Sequence, residues 1–499
     1  MEREPALLWR FFDDLCRIPR GSGNEGGVRA YIRGYAGSHG LGYLEDSAGN
    51  CLVSAPGRGA GAGAPPVIIQ SHMDMVCVKN DENQDHDFTR DPIRTRVTTW
   101  TEKGSARDVL MGTGTTLGAD NGIGLVAGLA VAADPNVADC PPLDLLFTVE
   151  EETGLTGARL LDPALLRADL LINLDSEELG DICVSCAGGR DLMADWKLRR
   201  ETPAAGELPI RLYVTGLPGG HSGVQIHERR GNAILMLLQS LLAVKQTRGR
   251  LKLAVLSGGT ARNVIPGHAE ILLWASPADT AILEAAFRDP ALTARIAGEV
   301  EEDEIGAAAC GAERCEPGNV PWPIATAQTR DILDALAAIP NGVQQWSKVV
   351  EGLVETSNNA AVLTPTDDTL HLQCSTRSSS DGAIEEFQQA LQRALEASGA
   401  TVVTGDGYPG WPADANNPLL QKARETFESV LGYAPRVMAI HAGLECGVLK
   451  GKRPTLQMVS FGPDIFGAHT TNERIALDSV APFYACLTGL LRDLCDVRL

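Results

Sequence analysis

Histidine and acidic residues directly follow strand-like runs of the sequence or lie in loops beside them. They are His72 with Asp74, Asp120, the three glutamates at 150–152, Asp175 and His469. The carboxyl ends of strands in an open α/β sheet meet at one edge, where active sites form, so these side chains can converge. Imidazole and carboxylate ligands without cysteine suit zinc, manganese or cobalt in a hydrolytic site better than a structural thiolate site.

Each of these motifs also has an ordinary interpretation when it is taken alone. An isolated His-x-Asp occurs by chance in many proteins, and three adjacent glutamates usually form a solvated turn. An aspartate before a helix, as at Asp120, is often an N-cap. The shared placement after buried strands favours a common metal site over these separate interpretations.

The strands that would carry this site are predicted from short apolar runs. Aliphatic residues predict strands at 66–70, 143–149 and 170–174, and an apolar stretch at 121–133 predicts a buried helix. Strands that alternate with helices indicate an α/β fold, with a mixed, largely parallel sheet flanked by helices.

The character of the sequence changes after the glycine pair at 188–189 and returns near Thr401. Strand-like runs at 210–216 and 269–275, with helices at 232–245 and 381–397, predict an inserted α+β domain. Two similar halves within it are an open alternative, because no sequence repeat demonstrates them. The predicted domains are a catalytic domain in two parts, 1–193 and 399–499, and the inserted domain at 194–398.

Composition and charge restrict the classes of partner. The chain has 43 Lys and Arg against 64 Asp and Glu, a formal net charge of −21, which argues against nucleic acid or an anionic membrane as partner. A charged start without a signal peptide, short apolar runs and 12 scattered cysteines predict a reduced, cytoplasmic protein. Cys183 and Cys186 are interpreted as buried thiols, and the acidic run 299–304 as a solvated helix face.

The motifs together resemble the ordered set of the di-zinc aminopeptidase and dipeptidase superfamily. The matching segments are SHMDM at 71–75, GADNG at 118–122, EETG at 151–154, NLD at 173–175 and the segment 462–473. Further segments narrow the resemblance to bacterial aminoacyl-histidine dipeptidases, also called cytosolic non-specific dipeptidases. They are GTGTTLGADNGIG at 112–124, GGHSG at 219–223, GGTARN at 258–263 and HAGLECG at 441–447.

The resemblance implies two zinc ions, bridged by Asp120 and a water, with manganese or cobalt as substitutes. His72 and Asp175 would complete the ligands of one ion, and Glu152 and His469 those of the other. Two metals a few Å apart lower the pKa of the shared water and polarise the scissile carbonyl.

The resemblance also assigns two catalytic carboxylates, Asp74 and Glu151. Asp74 would accept the second ring N–H of His72, and Glu151 would be the general base. If the strand continued through Glu150, that residue and Glu152 would share a face opposite Glu151. The Glu-Glu-x-Gly match instead selects Glu151 and Glu152.

The inserted domain would act as a lid that supplies substrate-binding residues. The resemblance assigns this role to His221, Asn263, Arg377 and Gly443, and less directly to His441 and Glu445. A structural histidine is the alternative for His221, and a surface charge on a strand is the alternative for Arg377. The Arg377 guanidinium could bind a C-terminal carboxylate through two hydrogen bonds.

The resulting hypothesis is a metal-dependent dipeptidase that hydrolyses unblocked dipeptides, Xaa-His and broader. Its alternative within the superfamily is a di-zinc deacylase or aminopeptidase acting on other small amides. Interpretation of 112–122 as a dinucleotide-binding loop is excluded by the spacing of its glycines, which does not match GxGxxG. The intact ligand positions argue against a catalytically dead relative. The preferred dipeptide and the metal stay open. The oligomeric state also stays open, because relatives are often homodimers through the lid, whereas a lid of two halves can substitute for a partner.

Overall fold

The computed structural model describes residues 3–102, 104–228, 230–298, 308–348 and 352–496. The acidic run 299–304 lies outside these residues. The chain divides into two compact units. Unit 1 comprises Met1–Cys186, Trp411–Ala439 and Leu444–Leu499, and unit 2 comprises Ala187–Gly410 and Ile440–Gly443.

Both units contain helices and strands. The helices are α1 (Ala6–Leu15), α2 (Gly26–His39), α3 (Ala119–Ala133), α4 (Thr156–Leu160), α5 (Ala233–Ala243), α6 (Pro277–Phe287), α7 (Pro290–Gly298), α8 (Thr326–Ala337), α9 (Asp381–Ala397), α10 (Pro418–Leu431), α11 (Glu445–Lys452) and α12 (Leu477–Asp493). The strands are β1 (Gly42–Glu45), β2 (Cys51–Ala55), β3 (Val67–His72), β4 (Thr95–Glu102), β5 (Ser105–Gly112), β6 (Leu143–Thr148), β7 (Leu170–Asn173), β8 (Asp181–Cys186), β9 (Gly188–Lys197), β10 (Leu208–Thr215), β11 (Lys252–Gly258), β12 (Ala269–Ala275), β13 (Ala309–Arg314), β14 (Gly342–Trp346), β15 (Val354–Pro365), β16 (Thr369–Ser378), β17 (Thr401–Thr404), β18 (Arg436–Ile440), β19 (Gln457–Ser460), β20 (Ile465–Phe466) and β21 (Arg474–Ala476).

Unit 1 is built on a mixed sheet with the strand order β1-β2-β6-β3-β7-β19-β8-β18. The central pairs β6-β3, β3-β7 and β7-β19 are parallel, whereas β1-β2, β2-β6 and β19-β8 are antiparallel. All residues of β3, β6 and β7 are buried, as expected for parallel strands covered on both faces. The apolar helix α3 packs against β3. These features confirm the predicted mixed α/β fold.

The parallel strands direct the chemically interesting residues to one edge of the sheet. His72 is the last residue of β3, β6 ends at Thr148, and β7 ends at Asn173. Because these strands run in the same direction, the segments that follow them leave the sheet on the same side. Unit 1 also contains a smaller sheet with the order β20-β21-β5-β4. Strand β5 ends before the segment of Asp120, and β20 and β21 lie on either side of the segment of His469 along the chain.

Unit 2 is an antiparallel sheet covered by helices. Its order is β13-β10-β12-β11-β15-β16-β9-β17, with β14 paired to β15. Between β11 and β15 the described residues form a single register pair, Gly258 with Leu363. Helix α5 packs on β10 and β12, and α9 packs on β16 and β17. Strand β9 spans the predicted boundary at 193/194, and both of its partner strands lie in unit 2.

None of the described helices is both long enough and apolar enough to cross a membrane.

Candidate metal centre and active site

The seven residues predicted as metal ligands or catalytic carboxylates all lie in unit 1. Asp120 stands in the first turn of α3, but it keeps non-helical backbone angles, with φ −78° and ψ 114°. The carboxylate is therefore presented by an irregular segment, and among the described residues its two oxygens contact the rings of His72 and His469 and not the N–H groups of the helix start. His469 adopts a positive φ of 64° in the loop between β20 and β21.

Asp120 faces two imidazoles, one with each carboxylate oxygen. Its Oδ1 lies 3.1 Å from His72 Nε2, and its Oδ2 lies 3.1 Å from His469 Nε2. His72 Nε2 is also 3.3 Å from Asp175 Oδ1, and His469 Nε2 is 2.9 Å from Glu152 Oε2. The arrangement is two sets of one imidazole and two carboxylates, with Asp120 common to both.

The donor atoms fit divalent cations. Ligand atoms at 2.0–2.1 Å from a tetrahedral zinc ion are about 3.3 Å from one another, which is close to the separations above. Donor atoms of His72, Asp120 and Glu152 lie within 4.8 Å of one another. Glu152 Oε1 is buried and has no hydrogen-bond partner among the described residues. A buried carboxylate oxygen without a donor is costly, and a cation would satisfy it.

Asp74 fixes the orientation of His72 and also holds the turn that follows β6. The ring Nδ1 of His72 lies 3.2 Å from the Asp74 carbonyl oxygen and 3.3 Å from its Oδ1. This contact favours a ring proton on Nδ1, which would leave Nε2 to bind a cation. The fully buried carboxylate also accepts the backbone N–H groups of Glu151 (3.0 Å) and Glu152 (3.2 Å).

The strand alternation does not extend through the three glutamates. Strand β6 ends at Thr148, Glu150 has a φ of 49°, and Gly154 and Leu155 donate to the Glu151 carbonyl oxygen. The chain thus turns within this run, so Glu150 and Glu152 do not lie on one face of a continued strand. Glu152 reaches His469, and burial raises the pKa of the Glu151 carboxyl, against the opposing effect of His72.

Two further carboxyl groups of this region, the half-buried Glu177 and the buried Glu445, have raised pKa values. Burial raises the pKa of Glu177 to about 8, and the charges of Asp120 and Asp175 add to this shift. Burial also raises the pKa of Glu445 to about 7; its Oε2 accepts hydrogen bonds from Gln70 (2.6 Å) and Thr148 (2.7 Å). Sequence reasoning missed Glu177, although its position two residues after Asp175 was a usable signal.

The predicted substrate-binding residues His221, Asn263, Arg377 and Gly443 all lie in unit 2. His221 Nδ1 accepts the backbone N–H groups of Gly223 and Val224, each at 3.1 Å. The neutral ring therefore carries its proton on Nε2, and burial together with Arg377 lowers its pKa. The carbonyl oxygen of Asn263, an exposed residue, accepts the N–H of Ser222 at 2.8 Å.

Arg377 is a buried residue of β16, 8% exposed, and not a surface charge. Its Nη1 donates to the Tyr408 hydroxyl at 2.8 Å, while its buried Nε has no partner in the described part of the chain. The edge formed by Nε and Nη2 is the bidentate face of a guanidinium. A Cβ added at Gly443 would lie 2.7 Å from the Tyr408 ring, so glycine permits this packing. The spacing of the sequence held no signal for Tyr408.

His441 joins the same unit. Its Nε2 lies 2.8 Å from Ser357 Oγ, and burial, reinforced by the positive charge of Arg377, lowers its pKa to about 3. The Ala187 N–H points to the carbonyl oxygens of Ile440 and Ala442. These contacts explain why Ile440–Gly443 belongs to unit 2, whereas the sequence predicts Gly443 within the second catalytic segment, 399–499.

Comparisons with known proteins give consistent matches over most of the chain. Residues 68–493 match the model of peptidase family M20/M25/M40. The cytosol non-specific dipeptidase of Escherichia coli (strain K12) is 37% identical over 492 residues, which cover 98% of each chain. The crystal structure of aminoacylhistidine dipeptidase from Vibrio alginolyticus is 35% identical, with a TM-score of 0.88 over 98% of this chain and 96% of that one. A tripeptidase from Staphylococcus aureus, 16% identical with a TM-score of 0.55 over 99% and 100% of the two chains, shares the fold alone.

Proposed function

The chain belongs to peptidase family M20/M25/M40 and is a hydrolase that acts on peptides, and we propose that it is a metal-dependent dipeptidase. Its substrates would be unblocked dipeptides, Xaa-His among them. The protein would act in the cytoplasm. The near full-length similarity to a cytosol non-specific dipeptidase and to an aminoacylhistidine dipeptidase supports this specificity. The observation that carries the proposal is Asp120, whose two oxygens face separate imidazole–carboxylate sets.

We propose that these two sets hold two Zn²⁺ ions, with Mn²⁺ or Co²⁺ as substitutes. His72 and Asp175 would bind one ion, Glu152 and His469 the other, and Asp120 both. Two such ions lower the pKa of an attacking water, polarise the scissile carbonyl and offset the charge of the tetrahedral intermediate. Imidazole and carboxylate donors without thiolate accept all three metals.

The protein residues would then move and hold protons. Glu151 would accept the proton of the attacking water and return it to the leaving amine nitrogen. Burial raises the pKa of its carboxyl, which makes Glu151 a better proton acceptor than an exposed glutamate and supports this role. Asp74 would keep the His72 ring proton on Nδ1 and the backbone of Glu151 and Glu152 in place through the contacts described above.

Residues of unit 2 would recognise the substrate. The Nε2–H of His221 is a neutral donor suited to the oxyanion of the tetrahedral intermediate, because its Nδ1 is occupied by backbone N–H groups. The Nε–Nη2 edge of Arg377 is suited to the free C-terminal carboxylate, since Tyr408 occupies Nη1. Asn263 and Gly443 are proposed as additional substrate contacts. A homodimer through unit 2 stays a prediction, which light scattering of the purified protein would test.

Metal counting and a substrate panel test the proposal. The active protein should bind about two equivalents of Zn²⁺, and Asp120→Ala should impair both sites because one carboxylate serves both. Unblocked dipeptides should be cleaved, a strong chelator should abolish cleavage, and added Zn²⁺ should restore it. Full activity with one metal or none would refute the two-metal site. Faster cleavage of N-acyl amino acids would indicate the deacylase, and faster cleavage of longer peptides the aminopeptidase.

A further inference from the structure

Glu473 is a buried carboxylate that binds only backbone of the Asp120 segment among the contacts described. The residue is 2% exposed. Its Oε2 accepts the N–H groups of Leu117 (2.7 Å) and Gly118 (2.9 Å), and its Oε1 accepts those of Ala119 (2.7 Å) and Asp120 (3.2 Å). Four consecutive peptide groups are thus tied to a side chain that stands four residues after His469. This one carboxylate connects the loops of two proposed metal ligands.

The positively charged side chain of Arg20 makes a second connection between loops of the proposed metal ligands. This arginine is 3% exposed, and its Nη1 donates to the carbonyl oxygens of Met73 (3.1 Å) and Asp74 (2.8 Å). Its Nη2 donates to the carbonyl oxygen of Gly118. The guanidinium therefore joins the segment that follows His72 to the segment that precedes Asp120.

The glycines of the GADNG motif leave space for this guanidinium. A Cβ added at Gly118 would lie 2.3 Å from Arg20 Nη2, and one at Gly122 would lie 2.6 Å from it. Gly118 also has a φ of 71°, which side chains other than glycine rarely adopt. The motif that carries Asp120 is thereby matched in shape to Arg20, far away in sequence.

We propose that Arg20 and Glu473 are positioning residues that hold the backbone of the metal-ligand loops before the cations bind. The inference rests on the proposed function, since it concerns those cations. Asp120 and Asn121 have non-helical backbone angles although they lie within the first turn of α3, and the Asp120 carboxylate must face two imidazoles at once. Repulsion among the ligand carboxylates opposes this arrangement when no cation is bound. Fixing the peptide groups on either side lets the protein form the site at a lower reorganisation cost.

The test compares metal affinity with the stability of the metal-free protein. In Glu473→Gln, an amide NH₂ replaces an acceptor oxygen and faces two backbone N–H donors. We expect the dissociation constants for both equivalents of Zn²⁺, measured against a chromophoric chelator, to rise about 10–100-fold, the usual effect of losing an outer partner of a metal ligand. The melting temperature of the metal-free variant is measured in parallel.

Asp144→Asn is the matched control. Asp144 is also buried, at 5% exposed, and it accepts hydrogen bonds from Ser54 and Arg167. It lies near the start of β6, whereas the proposed ligands follow the ends of the strands. This variant should lose stability and keep the Zn²⁺ affinity of the unmodified protein. Arg20→Lys is the second test variant, because one ammonium group cannot replace the fork that spans Asp74 and Gly118.

The outcomes separate this inference from the proposed function. If the unmodified protein binds no Zn²⁺, the metal site itself is refuted. If the unmodified protein binds two equivalents but Glu473→Gln and Arg20→Lys keep its affinity and only melt earlier, the positioning role is refuted. Failure of both variants to fold without metal would also refute it, since the pair would then serve the fold. Weaker binding by folded variants, with an unaffected control, supports it.

Discussion

The buried imidazole of His441 makes a quantitative prediction about stability and pH. Burial, reinforced by the positive charge of Arg377, lowers its pKa from 6.5 to about 3 in the folded protein, where it contacts Ser357 and lies near His221 and His227. Between these values the unfolded chain binds a proton that the folded protein does not, so stability is complete above pH 6.5 and is lost as the pH falls. Lowering the pH from about 8 to about 5 should therefore remove about 2 kcal/mol of unfolding free energy through this group.

The assay is urea denaturation of the metal-free protein and of His441→Gln at both pH values. The glutamine amide does not titrate and can still bond to Ser357, so the variant lacks only the pH-dependent contribution. The difference in unfolding free energy between the two proteins should change by about 2 kcal/mol in favour of the variant on acidification, and effects of histidines that do not interact with His441 cancel. A difference that is constant between these pH values would show that His441 is not held neutral by burial.

Four substitutions test the catalytic and substrate assignments. Glu151→Gln should keep the metals but lose most activity, because an amide cannot accept the water proton. Glu152→Gln should weaken metal binding first. If Glu151→Gln lost metal and Glu152→Gln kept it, the two roles would have to be exchanged. Tyr408→Phe should raise KM for dipeptides about tenfold with little change in kcat, because Arg377 loses the acceptor that holds it, and an unchanged KM would contradict this. His221→Ala should lower kcat about 10²–10³-fold with KM little changed. It should also lower the unfolding free energy by about 1 kcal/mol, because the N–H groups of Gly223 and the exposed Val224 lose their acceptor. A destabilised variant with full kcat would exclude His221 from catalysis.

The sequence by itself indicated the main strands of unit 1 and the candidate site residues. Runs of aliphatic residues mark buried strands because a parallel strand covered on both faces has no polar side to show. Chain direction then requires the residues that follow such strands to share an edge, so His72 and Asp175 could be grouped without coordinates. Local pattern contained this information. Residue types at the strand ends also indicated a cation, since imidazole and carboxylate together suit few other ligands.

Only the tertiary structure decided which atoms face one another. The two oxygens of Asp120 face different imidazoles, and the turn at Glu150 ends the alternation on which a strand register depends. Arg20, Glu473 and Tyr408 act through contacts with segments remote in sequence, and no spacing rule connects such positions. The physical reason is that hydrogen bonds and burial depend on distances in the folded chain, whereas sequence periodicity reports only on neighbours within one helix or strand.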